Sequence, residues 1–210
     1  TTTIDTTEIE KEGLQLHYTF EYEGDEPPEI ITDESSNKRS ATLHSALLRD
    51  GGEGRMYRKV LSLDNDVRTN SKNTNSYAEV ITDTSNHINL ASATISFWIR
   101  PIGISEDNVG IIFNNSLEKN NRHGIVMNPN GNTLSLGYMW KTSVNSHSVD
   151  LKAQLKHDAW NHVTVLIYKE GYVRTFLDKS FVGNYDLGVT HEDVVFDKLE
   201  IGRVSGMIDD

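Results

Sequence analysis

Short segments in which apolar and polar residues alternate follow one another along most of the chain. The strongest is residues 93–100, where every odd-numbered position is apolar and the even-numbered positions include Trp98 and Arg100. Successive side chains of a strand point to opposite faces, so this segment predicts a strand with an apolar core face and a second face that carries Trp98 and Arg100. Pro101 ends the strand, because proline cannot donate to a sheet ladder.

Other alternating or apolar segments predict further strands joined by polar turns. Hairpin turns are predicted at 128–132, where Asn-Gly supplies positive φ, and at Asp178-Lys179. Only residues 151–155 indicate a helical turn. Many strands with short polar turns are typical of an all-β sandwich or barrel. The further predicted strands are 14–20, 41–46, 57–63, 109–113, 124–127, 134–140, 160–168, 172–177 and 194–201.

Length and composition favour one domain. No linker rich in Pro, Gly and Ser divides the 210 residues, and the four Pro include the adjacent pair Pro27-Pro28. The Thr- and Glu-rich stretch 1–13 is weakly apolar, and we interpret it as an N-terminal lead or connector. The domain is therefore expected to span residues 14–210.

The charge balance limits the classes of partner that the chain is expected to bind. The chain has 20 Lys and Arg against 31 Asp and Glu, a formal net charge of -11, and this argues against nucleic acid and against attraction to anionic lipid. The absence of Cys excludes disulfides and zinc–thiolate sites. No run of about 18 apolar residues is present, so membrane insertion is not expected.

Four groups of motifs, in chain order, resemble the laminin-G-like jelly-roll family of the concanavalin-A-like lectin/glucanase superfamily. This resemblance implies an all-β fold, a two-sheet antiparallel jelly-roll sandwich. The motifs are Leu16-His17-Tyr18-Thr19-Phe20 with residues 33–43; Ile95-Ser96-Phe97-Trp98-Ile99-Arg100-Pro101; Trp160-Asn161-His162-Val163 with residues 172–179; and Ile201-Gly202-Arg203 with residues 206–210.

The chain departs from the family pattern at three places. Ser36 stands where Gly is usual in the first turn, and Lys179 replaces the usual hairpin Gly. In the family the final Ile-Asp-Asp is followed by another strand, whereas this chain stops at Asp210. We therefore expect the domain to lack its final strand and the natural polypeptide to continue.

The resemblance leaves three function classes open, because this fold hosts lectins, glycosidases, adhesion modules and virion parts. We favour a non-catalytic carbohydrate-binding or adhesion module of a larger extracellular or surface assembly. The alternative is a structural or interaction domain of a phage virion or large surface protein. A glycoside hydrolase is less favoured: Glu23-Gly24-Asp25-Glu26 lacks the third carboxylate of related glucanase motifs and lies in a Pro-rich loop.

Carbohydrate binding needs an aromatic ring beside planar polar groups, and two strands offer them. Trp140 shares a strand face with Tyr138, and the loop residues Arg122 and His123 could rim that face. Trp98 shares the other candidate face with Arg100. The competing interpretation makes Trp98 and Trp160 packing residues and buries Trp140 against a loop, and Trp140 is the preferred ligand aromatic.

Calcium is the expected cofactor, on the resemblance alone. Related sandwiches hold a structural calcium near the first turn and the terminal Ile-Asp-Asp, which assigns Asp33, Asn37 and Asp209 as ligands. The competing role for Asp33 is a turn former that accepts backbone N–H bonds. Expected partners are a glycan or cell-surface polysaccharide and flanking domains or neighbouring subunits, at an extracellular, cell-surface or virion-surface location.

Overall fold

The computed structural model describes most of the chain between residues 13 and 202. For residues 89, 110–114, 122–123, 128–130, 133–134, 139–141, 146–147 and 195–196 it describes the backbone alone. The predicted lead 1–13 and Asp209 therefore lie outside the description, except for Gly13. The described residues are 13–23, 26–50, 59–63, 76–81, 88–89, 91–102, 110–114, 122–130, 133–141, 146–188, 190, 195–196 and 198–202.

The described residues form strands and no helix, as the sequence predicts, and no helix able to span a membrane occurs among them. The strands are β1 Ile30–Ile31, β2 Ala41–His44, β3 Leu47–Asp50, β4 Lys59–Ser62, β5 Tyr77–Ile81, β6 Ile88–Asn89, β7 Ala93–Ile99, β8 Gly110–Asn114, β9 Arg122–Asn130, β10 Thr133–Lys141, β11 Ser146–Gln154, β12 Asn161–Ile167, β13 Tyr172–Leu177, β14 Ser180–Asp186, β15 Val195–Phe196 and β16 Lys198–Ile201.

Two antiparallel sheets form the sandwich. The larger has the order β1-β2-β5-β16-β8-β9-β10-β11, and the smaller has the order β14-β13-β12-β7. Two short ribbons, β15-β6 and β3-β4, accompany them. In the larger sheet β16 pairs with β5 on one side and with β8 on the other, so it joins two groups of strands. The predicted all-β sandwich is confirmed.

The core lies between the two sheets. On β12, Val163, Val165 and Ile167 are at most 2% exposed, and they alternate with partly exposed residues. The larger sheet supplies Leu136 and Leu199 to the same cluster. Removal of these apolar surfaces from water is the main term that stabilises the pairing of the sheets.

Strand β7 follows its sequence pattern. Ile95, Phe97 and Ile99 pack against the core, while Trp98 is 47% exposed on the opposite face. The apolar/polar period thus sets the orientation of the smaller sheet, and the predicted faces of this strand are confirmed.

The two sheets are also tied at one edge. The Tyr185 hydroxyl on β14 donates to the Leu151 carbonyl on β11 at 2.5 Å. Gly183 leaves room for that ring, because a Cβ at this position would lie 2.3 Å from the Tyr185 hydroxyl. The edge strands of the two sheets are therefore held beside each other.

The β13–β14 hairpin turns at Asp178-Lys179, as predicted. Both residues have positive φ, 49° and 69°, which only glycine adopts without steric cost. Asp178 is fixed in place, because its N–H donates to the His162 carbonyl and its carboxylate accepts from the His162 N–H. Lys179 thus occupies a conformation that the family's usual glycine would relieve.

Lys179→Gly is expected to raise the free energy of unfolding by about 0.5–1 kcal/mol, because it removes the steric cost of positive φ. Urea denaturation at constant m-value measures the change. Lys169→Gly is the matched control, since Lys169 lies in a turn with φ outside the positive range, and it should lose stability. Equal effects of the two substitutions would contradict the steric explanation.

The prediction of a strand at 14–20 is wrong. No strand is assigned there, although Leu16, Tyr18 and Phe20 pack against the core as their alternation predicts. The polar groups of this segment instead bond to the turn at 33–39: the Glu34 N–H donates to the His17 carbonyl at 2.8 Å. Burial pattern alone does not distinguish a strand from an extended segment held by a turn.

The prediction of a helical turn at 151–155 is also wrong, because residues 151–154 continue β11 and no helix is assigned at Leu155. Leu151, Ala153 and Leu155 are buried and alternate with exposed Lys152 and Gln154. Lys152 has φ 50° at an irregularity in the register with β10. Although these residues favour a helix, the segment forms a strand because every second side chain is buried in the core.

Candidate functional site

The outer face of the smaller sheet carries the candidate site, and we call it the aromatic face. It consists of the side chains that alternate with the core-facing residues of β7, β12, β13 and β14. Three of its large side chains are well exposed: Trp98 at 47%, Tyr172 at 40% and Phe181 at 60%. Its members are Thr94, Ser96, Trp98, His162, Thr164, Leu166, Tyr172, Arg174, Phe176, Phe181 and Asn184.

A shallow cleft of about 180 Å³ opens at one end of the aromatic face. Its lining residues come from the β12–β13 turn and from β13 and β14: Tyr168, Glu170, Tyr172, Arg174 and Asn184. The turn is fixed, because the Gly171 N–H donates to the Tyr168 carbonyl and the Tyr168 N–H donates to the Tyr172 carbonyl, both at 2.9 Å. Two tyrosines thus lie beside a cation and an amide.

Arg174 is oriented from two sides within this cleft. Its Nε donates to Asn184 Oδ1 at 3.1 Å, and the two residues face each other across β13 and β14. Its guanidinium carbon lies 5.1 Å from the centre of the Tyr168 ring, a cation–π distance. Nη1 is 3.5 Å from the Tyr168 hydroxyl. The guanidinium is therefore held in one orientation by neutral groups.

The other end of the aromatic face is centred on Trp98. Its ring packs on the His162 ring at 4.9 Å between centroids, with 50° between the planes. Ser96 Oγ lies 3.1 Å from His162 Nε2 and 3.2 Å from Thr164 Oγ1. A strand rises about 3.3 Å per residue, so roughly 20 Å of sheet separates this end from the cleft.

Charged residues near the Trp98 end are already paired. Arg100 donates through Nε and Nη2 to Asp158 Oδ1 at 3.1 and 2.7 Å. Lys156 Nζ lies 2.9 Å from Asp178 Oδ2. The bond from the His162 N–H, assisted by Lys156, lowers the pKa of Asp178 below 3.8. These charges are therefore matched within the chain.

The structure separates the predicted ligand residues into three places. Trp98 and Arg100 lie on or beside the aromatic face, although Arg100 is bonded to Asp158. Tyr138 is 3% exposed and belongs to the core, where a ligand from solvent does not reach it.

Trp140, Arg122 and His123 lie on the larger sheet, in its β9–β10 hairpin. Trp140 pairs in register with His123, and Lys141 pairs with Arg122. The pairing places His123 on a strand, whereas the sequence indicated a loop. Only the backbone of this region is described, so its candidate site stays a prediction.

The described part of the first turn does not fit a calcium ion. The Asp33 carboxylate accepts four hydrogen bonds, from the N–H groups of His17, Ser35 and Arg39 and from the Ser35 hydroxyl. Asn37 donates its Nδ2 to the Leu14 carbonyl at 2.8 Å. Donor groups thus occupy the carboxylate that a cation would need. Asp209 lies outside the described residues, and calcium stays a prediction.

Two described acids face each other within the larger sheet, and they do not lie in an open groove. Glu79 and Glu200 are opposite each other on β5 and β16, and Lys198 forms ion pairs with both. Glu200 is 1% exposed, so this pair is not placed to flank a glycosidic bond. Lys198 offsets one of the two carboxylate charges within the sheet.

Sequence reasoning missed the cleft residues Tyr168, Tyr172, Arg174 and Asn184. A local signal exists, because Tyr172 and Arg174 are two apart on a strand whose intervening residue, Val173, is buried. The alternation that points these two side chains away from the core can be read from the sequence. The contribution of Asn184 depends on the register of β14, which shifts at Thr175/Phe176.

Residues 64–210 match a laminin-G-type family model described as the concanavalin A-like lectin/glucanases superfamily. No curated protein matches the chain. The fold is similar to the binding domain of Paraclostridial Mosquitocidal Protein 1, with a TM-score of 0.65 at 15% identity, over 93% of this chain and 45% of that one.

Two botulinum neurotoxin structures are similar as well. The serotype G binding domain has a TM-score of 0.59 at 14% identity, over 85% of this chain and 42% of that one. The second, described as showing that cell entry of type C depends on interaction with two ganglioside molecules, has a TM-score of 0.56 at 15% identity, over 86% and 42%. The likeness concerns the fold, and the chain spans less than half the length of these three.

Proposed function

Because the chain belongs to the concanavalin A-like lectin/glucanase superfamily, we propose that it works as a non-catalytic carbohydrate-binding or adhesion module. The observation that carries the proposal is the cleft at Tyr168 and Tyr172, where one half-buried and one exposed aromatic ring lie beside Arg174 and Asn184. A sugar presents an apolar C–H face to an aromatic ring and hydroxyls to planar polar groups, so this combination suits a glycan.

The setting we propose is a larger extracellular or surface assembly. The similar solved structures are binding domains of toxins, and one of them is described in terms of ganglioside interaction. These domains are more than twice as long as the matched region, so their ligands support a binding role without locating it. Glycans and flanking domains are the partners that this role implies.

The proposal predicts that Tyr172→Ala weakens glycan binding about tenfold or more, because the substitution removes an exposed ring that stacks on sugar. The purified chain is applied to a broad glycan array, and the best ligand is then titrated. Tyr172→Phe is the matched control, since it keeps the ring and should keep most of the affinity. Tyr172 is exposed on β13, so the folded state should tolerate both changes.

Trp140→Ala decides between the two candidate faces. If Trp140→Ala abolishes binding and Tyr172→Ala leaves it intact, the glycan site lies on the larger sheet and the cleft is not the site. If the folded chain binds no glycan on the array, the carbohydrate-binding function is wrong.

A second candidate function is docking of a neighbouring protein domain, and the Trp98 end of the aromatic face favours it. Trp98 and the nearby Ile102 are 47% and 67% exposed, and Phe181 on the opposite edge strand of the sheet is 60% exposed, so apolar side chains extend across this face. The proposed occupant is a flanking domain of the same polypeptide, since the similar structures continue well past the matched region. Weaker association of Trp98→Ala with that domain, measured by titration, supports docking, and unchanged association contradicts it.

A further inference from the structure

We propose that the cleft selects glycans whose sugar units carry a carboxylate, and that Arg174 is the residue that selects them. This inference rests on the proposed carbohydrate-binding function and adds the chemical class of the ligand. Uronic acids and sialic acids share this chemistry, and the experiment below separates them.

Arg174 differs from the neighbouring cations in its partners. Arg100 is paired with Asp158, and Lys156 is paired with Asp178. In the described part of the chain Arg174 contacts only the neutral groups of Asn184 and Tyr168, and its charge is not matched by a carboxylate. Glu170 lines the same cleft, yet it forms no ion pair with Arg174 among these residues.

The contacts of Arg174 leave the binding edge of the guanidinium open. Nε is used by Asn184, and Nη1 makes a long contact with the Tyr168 hydroxyl. Nη2 has no hydrogen-bond partner among the described residues. Guanidinium N–H groups match a carboxylate in two parallel bonds, which are stronger than bonds to a neutral hydroxyl. A ligand carboxylate can therefore bind at the Nη1–Nη2 edge.

The fixed orientation of the guanidinium favours selectivity. A flexible surface arginine loses side-chain entropy when it forms an ion pair, which is why exposed pairs contribute little. Arg174 is already held by Asn184 and by the Tyr168 ring, so less entropy is lost on binding. We expect a preference of about tenfold for the carboxylate over an uncharged form of the same sugar.

The test compares each acidic ligand with its methyl ester, which removes the charge and keeps the sugar. The full chain is titrated with oligogalacturonate and its methyl ester, and separately with sialyllactose and the methyl ester of its sialic acid. The expected result is about tenfold tighter binding of the acid in at least one of these pairs. The pair that responds identifies uronic or sialic acid as the source of the carboxylate.

Variants assign the effect to a residue. Arg174→Gln is expected to remove the preference for the acid, so that the acid and its uncharged form bind with equal affinity. Arg100→Gln is the matched control on the same sheet, and it should leave the preference intact because Arg100 is occupied by Asp158. If Arg100→Gln removes the preference instead, the assignment to Arg174 is wrong.

The ligand pairs also separate this inference from the proposed function. Equal binding of acid and ester in both pairs overturns the selectivity while carbohydrate binding stands. Binding of neutral array glycans only, dependent on Tyr172, has the same meaning. No binding to any glycan by the folded chain overturns the proposed function, and the selectivity is overturned with it.

Discussion

Asp33→Asn is expected to lower the free energy of unfolding by about 2–4 kcal/mol. Asp33 is fully buried, and its carboxylate accepts four hydrogen bonds at 2.7 to 2.9 Å, three of them from backbone N–H groups. The Asn amide replaces one oxygen by an NH₂ group, which then faces donors. At least one buried N–H loses its acceptor. The hydrogen bonding that holds the segment at 14–20 against the turn at 33–39 is weakened as a result.

The loss should depend on pH. Burial alone would raise the pKa of Asp33, but hydrogen bonds from Ser35, His17 and Arg39 outweigh burial and hold the pKa below 3.8. The stability that Asp33 contributes is therefore complete above its unfolded pKa of about 3.9 and is lost as the pH falls through the lower folded value. The difference in the free energy of unfolding between wild type and Asp33→Asn should be largest above about pH 5. This gap should decrease in stronger acid.

Urea denaturation of both proteins from pH 3 to pH 7 measures this gap. Glu34→Gln is the matched control, because the neighbouring Glu34 side chain is exposed and its loss should change stability by about 0.5 kcal/mol or less. A loss below about 1 kcal/mol for Asp33→Asn, or one that stays constant with pH, would show that the carboxylate does not organise the turn.

Asn161→Asp is expected to lower the free energy of unfolding by about 3–5 kcal/mol. Asn161 is fully buried at the start of β12, and its Nδ2 donates to the carbonyls of Ala159, Lys156 and Ile99 at 2.8, 3.0 and 3.4 Å. Its Oδ1 accepts from the Lys156 N–H at 2.9 Å. A carboxylate would place negative charge against three carbonyl oxygens, without water to solvate it.

The Asn161→Asp penalty should have the opposite pH dependence. Burial raises the pKa of the introduced acid above its unfolded value, so acidification neutralises it in the folded state first. The penalty should therefore shrink as the pH falls through that raised pKa toward about 4. Denaturation midpoints at several pH values measure it, with exposed Gln154→Glu as the matched control. A penalty as small as that control's would contradict the role assigned to Asn161.

Parts of the fold that depend on neighbouring residues could be predicted from the sequence. The faces of β7 and the Asp178-Lys179 turn follow from local period and turn chemistry, and both are confirmed. The exposed position of Trp98 follows from the same period. Such features depend only on residues that are close together in the sequence, so they can be predicted from the sequence directly.

The cleft and the core position of Tyr138 could not be predicted in the same way. Alternation assigns Tyr138 to a face of β10, but which face meets the core depends on the packing of the two sheets. The cleft combines a turn with two strands, and a shift in register aligns Asn184 with Arg174. Pairing across strands depends on the packing of the whole sandwich, so the sequence alone does not predict that these residues lie close together.

The central place of β16 has a consequence for how the chain folds. The groups β1-β2-β5 and β8-β9-β10-β11 are joined in one sheet only through β16, at residues 198–201. Among the described strands, the edges of β5 and β8 that face β16 stay unpaired until residues 198–201 have been synthesised. Completion of the larger sheet is therefore slow, because β16 must pair with β5, more than a hundred residues away in the sequence. Until that moment the nascent chain exposes two strand edges that favour aggregation over native pairing.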